Sequence, residues 1–233
     1  MDKCESPIVV LISANAEWRP VMAYFGDPIV LSSPLGGYFK QSIARQPVIF
    51  VKSGWGKISA AASTQYSIQA FNPGLIVNLG TCGGIAGRIE TGDVVLAEET
   101  LVYDIYERMG GAAEAVEHYA TRLDLSFLRE PFPQAVQRGR LISADQDIDP
   151  LLVPMLIDRY QAAACDWESG AIAWTAARNQ VPCLILRAVS DVVSIQKGEV
   201  YDDLASFHLR AEDAMQNLLE NLPEWIACSV EEK

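Results

Sequence analysis

Three acidic residues each follow a short apolar run: Glu17 comes after Ile8 to Ile12, Glu168 after Ala163 to Asp166, and Asp191 after Cys183 to Val189. If those runs are parallel strands of an open α/β sheet, their carboxyl ends border the crevice where small ligands bind. Three carboxylates and the Ser190 hydroxyl then meet in one place. Two carboxyl groups whose pKa values differ can divide acid and base work between them. A single acid after a strand is more often a helix N-cap or a solvated turn. The three together carry more weight, because Arg187 lies inside the last apolar run. A buried arginine needs a carboxylate or an anionic ligand.

Two glycine-rich segments invite comparison with nucleotide motifs. Ser53-Gly54-Trp55-Gly56-Lys57 ends like a phosphate-binding loop, but Ile58 replaces the hydroxyl residue and Val51 stands where the first glycine belongs. Gly80-Thr81-Cys82-Gly83-Gly84 follows a strand without the dinucleotide-binding spacing. Neither supports a kinase or a dehydrogenase. Glycines directly after strands serve tight turns or let a ligand approach the backbone.

The elements that must position these residues are short buried strands alternating with helices. Besides the runs already named, Pro47 to Lys52, Leu75 to Leu79, Asp93 to Ala97 and Arg140 to Ser143 read as strands. Ile58 to Ala70, Ser169 to Asn179 and Leu204 to Leu222 read as helices. Continuous apolar strands interleaved with helices predict one three-layer α/β domain over residues 1–233, with a central, mostly parallel or mixed twisted sheet covered on both faces. Glu107 to Gln137 is the least organised stretch and is expected to be a mobile loop or a partner contact.

Composition narrows the function classes. The 233 residues include 18 Lys and Arg against 30 Asp and Glu, a net charge of -12. Such a chain is repelled by nucleic acid and by anionic membranes. No apolar run approaches the roughly 18 residues of a membrane span. Met1 to Pro7 is acidic and polar, unlike a signal peptide. Cys4, Cys82, Cys165, Cys183 and Cys228 contain no Cys-x-x-Cys pair, and Cys82, Cys165 and Cys183 sit in apolar surroundings. They read as core residues of a protein in a reducing compartment, the cytoplasm. His118 and His208 stand far apart and away from the cysteines, so neither a zinc cluster nor a Ser-His-Asp triad is expected.

Three segments carry a family resemblance: Asn78-Leu79-Gly80-Thr81-Cys82-Gly83-Gly84, Asp166-Trp167-Glu168-Ser169-Gly170-Ala171 and Arg187-Ala188-Val189-Ser190-Asp191. Together they resemble the signatures of the purine nucleoside phosphorylase/nucleosidase superfamily, most closely its methylthioadenosine/S-adenosylhomocysteine nucleosidase branch. Ser53 to Lys57 resembles that branch's Ser-Gly-x-Gly-Lys turn, and Glu17 falls where it carries a catalytic glutamate.

The resemblance implies roles. Asp191, helped by Ser190, would protonate N7 of the departing purine. Glu17 would position and deprotonate the attacking water, and Glu168 would hold the ribose 2′ and 3′ hydroxyls. Ser53, Thr81, Cys82, Gly83, Asp147, Ile148, Trp167, Arg187 and Tyr201 would complete the substrate site. No metal or cofactor is implied. A homodimer is, with Asp104 to Met109 reaching into the neighbour's pocket. The chemistry suits these groups, because N-glycosidic cleavage passes through an oxocarbenium-like state. An acid must neutralise the leaving base while a second carboxylate aims water from the opposite face.

Phosphorolysis is the main alternative. It needs cations to hold a dianion. Asn78-Leu79 stands where hexameric phosphorylases carry an arginine, and Glu17 would repel phosphate, which leaves Arg19 and Arg45 as possible cations. A catalytically silent nucleoside-binding protein is the third reading; it would have no need of both an acid and a base. The chain departs from the branch in two places and keeps a third feature. Trp167 replaces a methionine beneath the ribose, Gln146-Asp147-Ile148 replaces the aromatic that stacks on adenine, and Tyr201 stands where an aromatic covers the 5′ group. A different base or 5′ substituent would fit an acid at 147.

Overall fold

Strand β1 (Ile8–Ile12) is buried along its whole length, because it is sandwiched between two layers of helices. Ile8, Val10 and Ile12 enter one apolar cluster and Val9 and Leu11 another, the alternation a two-sided strand requires. The computed structural model describes residues 6–229. Met1 to Glu5, the greater part of the polar Met1 to Pro7 stretch read as unlike a signal peptide, lie outside them, Cys4 included.

From β1 the chain passes through α1 (Asn15–Tyr24), β2 (Leu31–Ser33), β3 (Gly36–Ile43), β4 (Gln46–Lys52), α2 (Gly56–Phe71), β5 (Leu75–Ile85) and β6 (Val94–Val102). There follow α3 (Ala112–His118), β7 (Thr121–Arg122), β8 (Gln137–Ser143), α4 (Val153–Tyr160), β9 (Ala164–Asp166), α5 (Ser169–Arg178), β10 (Cys183–Val193) and α6 (Leu204–Ser229). All ten strands join one mixed sheet. β1 lies parallel between β4 and β5, and β5 runs parallel to β10 from Ile76 to Ile85. β10 pairs with β6, β6 with β8, and β8 with β9, which returns to β5 at Gly83 and Gly84. These five strands therefore close on themselves, and the site lies at this closure.

The sheet is covered on both faces, as the continuous apolar strands predicted. Trp18 and Val21 of α1 pack with Met215, Leu218, Leu222 and Trp225 of α6 on one side. Ala60 of α2 packs with Ile172, Ala173 and Ala176 of α5 on the other. A third cluster, including Ile85, Leu101, Ile142, Val153 and Leu156, lies beneath α4. Among the described residues no helix is long and apolar enough to cross a membrane.

The structure adds elements that composition hides. The β2–β3 hairpin is an exposed edge, where only Phe39 and Ile43 are fully buried. α4 is a short amphipathic helix after a proline-started turn. The stretch from Glu107 to Gln137 contains α3 and β7, so part of it is regular; α3 buries only Val116 and leaves little apolar periodicity to read. β5 and β10 also run beyond their apolar cores, through Gly80 to Gly84 and through Ser190 and Asp191. The glycine run is thus strand, and neither a tight turn nor a loop.

Candidate active site

Side chains on β10 alternate, so Leu184 and Leu186 face the α1/α6 layer while Arg187 turns toward the other side. Arg187 is 0% exposed. Its Nη2 lies 2.9 Å from Asp166 and 3.3 Å from Glu168, its Nη1 3.4 Å from Glu17, and its Nε donates to Ser169 Oγ at 3.1 Å. This geometry explains Gly80: a Cβ there would lie 1.9 Å from Arg187 Nη1 and 2.6 Å from Glu17 Oε1. No side chain fits where the guanidinium crosses the strand.

Glu17 occupies the first turn of α1, and its helix position aims it inward rather than along a loop. Oε2 accepts from the backbone N–H groups of Ser13 at 3.2 Å and Ala14 at 3.0 Å. Oε1 accepts from Thr81 N–H at 2.7 Å and Thr81 Oγ1 at 3.0 Å. With Arg187 added, every neighbour is a donor, which suits a carboxylate acceptor.

Glu168 stands just before α5 and points away from that helix. Oε1 accepts from Gly56 N–H at 3.0 Å, and Oε2 faces Arg187. Burial pushes its carboxyl up to about 8 against the pull of Arg187, with Asp166 and Glu17 adding repulsion. Three carboxylates surround one guanidinium, so mutual repulsion adds to burial in raising Glu168 while Arg187 opposes both.

Asp191 reaches the cavity through a β-bulge. Val189 pairs with Cys82 and Asp191 with Gly83, which leaves Ser190 as the extra residue. Ser190 Oγ donates to Asp191 Oδ1 at 2.7 Å. Burial raises the Asp191 carboxyl; the Ser190 bond and Arg210 work against it, and Glu199 and Asp147 reinforce it.

A cavity of about 960 Å³ gathers these groups. Its walls include Glu17, Thr81, Cys82, Gly83, Asp147, Ile148, Trp167, Glu168, Ser190, Asp191 and Tyr201. Tyr201 Oη donates to the Ile148 carbonyl at 2.6 Å, joining two walls. Arg187 stands behind the carboxylates rather than on the surface. Ser53 is also set back: it is buried, with its hydroxyl 3.3 Å from Ser13 Oγ and donating to the Ile12 carbonyl at 3.2 Å. Arg19 is exposed at the cavity edge, whereas Arg45 sits in the β3–β4 turn at φ 65° and does not line the cavity. A second depression, about 640 Å³ around Glu130 to Arg138, collects no comparable set of acids.

Sequence reasoning missed several of these residues. Asp166 is the nearest partner of Arg187, and it accepts Ser143 Oγ at 2.5 Å and Ser169 N–H at 3.1 Å. The signal for it was Arg187 itself, which demanded a buried carboxylate. Asn15 at the start of α1, Trp55 before α2, Asp202 and Asp203 from the turn before α6, and Phe207 and His208 from the start of α6 also line the cavity. Arg187→Met tests the cluster. Removing one partner of a buried ion network typically costs about 3–5 kcal/mol. The expected result is a loss of that size in urea denaturation; a change below about 1 kcal/mol would mean the carboxylates do not depend on the guanidinium.

A mixed sheet under two helical layers, with carboxylates that follow its strands gathered in one cavity, defines an α/β protein with an acidic cavity. The family model described as the phosphorylase superfamily matches residues 29–223, and the chain belongs to that superfamily. Glu17 precedes the matched span. A 5'-methylthioadenosine/S-adenosylhomocysteine nucleosidase of Halalkalibacterium halodurans is 29% identical over 178 residues, covering 71% of this chain and 77% of that one. The crystal structure of the nucleosidase of the same description from Helicobacter pylori superimposes with a TM-score of 0.79 at 19% identity, covering 94% of this chain and 99% of that one. The futalosine hydrolase of Helicobacter pylori superimposes with a TM-score of 0.78 at 18% identity, covering 95% and 98%. At these identities the solved structures speak for the fold.

Proposed function

We propose that this protein is a purine nucleosidase that hydrolyses the N-glycosidic bond of a methylthioadenosine- or S-adenosylhomocysteine-like nucleoside. The observation that carries the reading is the cavity wall itself, where a buried carboxyl of raised pKa, Asp191, and an acceptor-only carboxylate, Glu17, both face the same space. The curated relatives bearing the nucleosidase name support it.

In this reading Glu17 takes a proton from water as the water oxygen bonds to C1′. The C1′–N9 bond breaks, its electron pair passes into the purine, and Asp191 delivers its proton to N7. Ser190 orients Asp191, and Glu168 receives the ribose hydroxyls. Hydrolysis is favoured over phosphorolysis because Arg187, the one buried arginine among the described residues, is committed to Asp166, Glu168 and Glu17. Arg19 alone at the edge is a poor hold for a dianion. A silent binding protein would have no use for separate acid and base groups. No cofactor enters the scheme. The test is incubation with a panel of purine nucleosides, with and without phosphate, and identification of the sugar product.

The reading extends to assembly and location. A homodimer is proposed because the segment Asp104 to Met109 projects Tyr106, 79% exposed, and Met109, 95% exposed. Large apolar side chains on one such segment suit an interface core. Light scattering at micromolar concentration is expected to give twice the chain mass; an active monomer would refute it. The free thiols Cys82, Cys165, Cys183 and Cys228 suit a reducing cytoplasm.

A further inference from the structure

Helix α2 starts without a side-chain cap of its own, since its N-cap residue is Trp55. The first backbone N–H groups of a helix nevertheless need acceptors, and they favour negative charge. Two carboxylates from distant parts of the chain supply this. Gly56 N–H donates to Glu168 Oε1 at 3.0 Å, and Lys57 N–H donates to Asp145 Oδ1 at 2.8 Å. The fit is tight: Gly56 has φ +77°, and a Cβ there would lie 2.7 Å from Asp145 Oδ1.

The Lys57 side chain holds this arrangement together. Its Nζ pairs with Asp104 Oδ2 and lies 3.4 Å from Asp145 Oδ2. Asp104 Oδ2 also accepts from Asp145 N–H at 3.0 Å, while Asp104 Oδ1 is buried without a partner. One ammonium therefore bridges two carboxylates and offsets much of their mutual repulsion. Lys57 itself does not line the cavity.

We propose that Lys57 is a positioning residue for Glu168, acting through Asp104, Asp145 and the first turn of α2. Without the ammonium, Asp145 and Asp104 separate, Asp145 releases the Lys57 N–H, and Gly56 no longer holds Glu168 in place. The inference rests on Glu168 being the carboxylate that receives the ribose hydroxyls, so the test must separate the two claims.

The experiment measures kcat and KM for 5′-methylthioadenosine and its 2′,3′-dideoxy counterpart in the wild type, Lys57→Met, Lys57→Arg, Glu168→Gln and the Lys57→Met/Glu168→Gln double variant. Lys57→Met is expected to lose roughly tenfold in kcat/KM on the ribonucleoside, mainly through KM. It should lose little on the dideoxy compound, and Lys57→Arg should restore most of the loss. In the Glu168→Gln background the Lys57 change should add almost nothing, the signature of two residues acting as a unit. Equal losses on both substrates, or losses that add with Glu168→Gln, overturn the inference and make Lys57 a general stabiliser. A wild type that does not distinguish the two substrates overturns the role of Glu168, and this inference with it. Should Lys57→Met fail to fold, Asp104→Asn weakens the same bridge and must show the same substrate-dependent loss.

Discussion

Asp191→Asn is expected to fold like the wild type and to lose about 100- to 10,000-fold in turnover, the range of a positioned general acid. The amide is nearly isosteric, and Ser190 Oγ still finds an acceptor at the same place. What disappears is the proton for the departing purine. Burial raises the Asp191 carboxyl, so its proton persists to higher pH than that of an exposed aspartate. The acid form is the working form, so wild-type turnover should fall as pH rises through that raised value. The variant should lack this limb of the profile. Steady-state kinetics across pH, with circular dichroism as the folding control, reads both effects. Retention of more than about a tenth of wild-type turnover is inconsistent with the role.

Glu17→Gln is the second large effect, with turnover expected to fall by about 100-fold or more. The amide cannot take a proton from water. Its NH₂ must also face donors whichever way it is turned: Ser13 and Ala14 N–H on one side, Thr81 and Arg187 on the other. Nucleoside binding should persist, because Glu168 and Asp191 are untouched. Turnover by the wild type should proceed in phosphate-free buffer and release the free sugar, and added phosphate should not accelerate it. Chromatography of the products decides the matter. If the reaction stops without phosphate and a ribose 1-phosphate ester accumulates with it, the protein is a phosphorylase. Glu17 would then belong to an anion site with Arg19.

The buried scaffold was legible because strands covered on both faces must be apolar throughout. β1, β4 and the first halves of β5 and β10 announce themselves in this way. Their continuations did not, because there the demands of the site replace those of the core. Gly80 is glycine to make room for Arg187, and Ser190 is an extra residue in a ladder, so neither looks like strand. The three acids at strand ends were legible as a group, and the cavity gathers all three. Asp166 was read only as part of a motif, since nothing in sequence marks which carboxylate a buried arginine selects. Ser53 was assigned to the site through the family resemblance of its turn, yet its hydroxyl faces Ser13 and Ile12. The β2–β3 hairpin, half in solvent, had no such pattern to show.

The ion cluster around Arg187 joins residues that are far apart along the chain, with 170 positions between the Arg187 and Glu17 partners and 112 between Gly56 and Glu168. No contiguous fragment contains the machinery. Long-range pairings of this kind slow folding, because the loops must close before the contacts can form. The protein therefore has no half-built active form: a chain either owns the whole site or none of it. Loss of ligand binding and loss of global structure should share one denaturation midpoint. Substitutions far from the cavity would then lower cellular activity by thinning the folded population, leaving the chemistry of each surviving molecule intact.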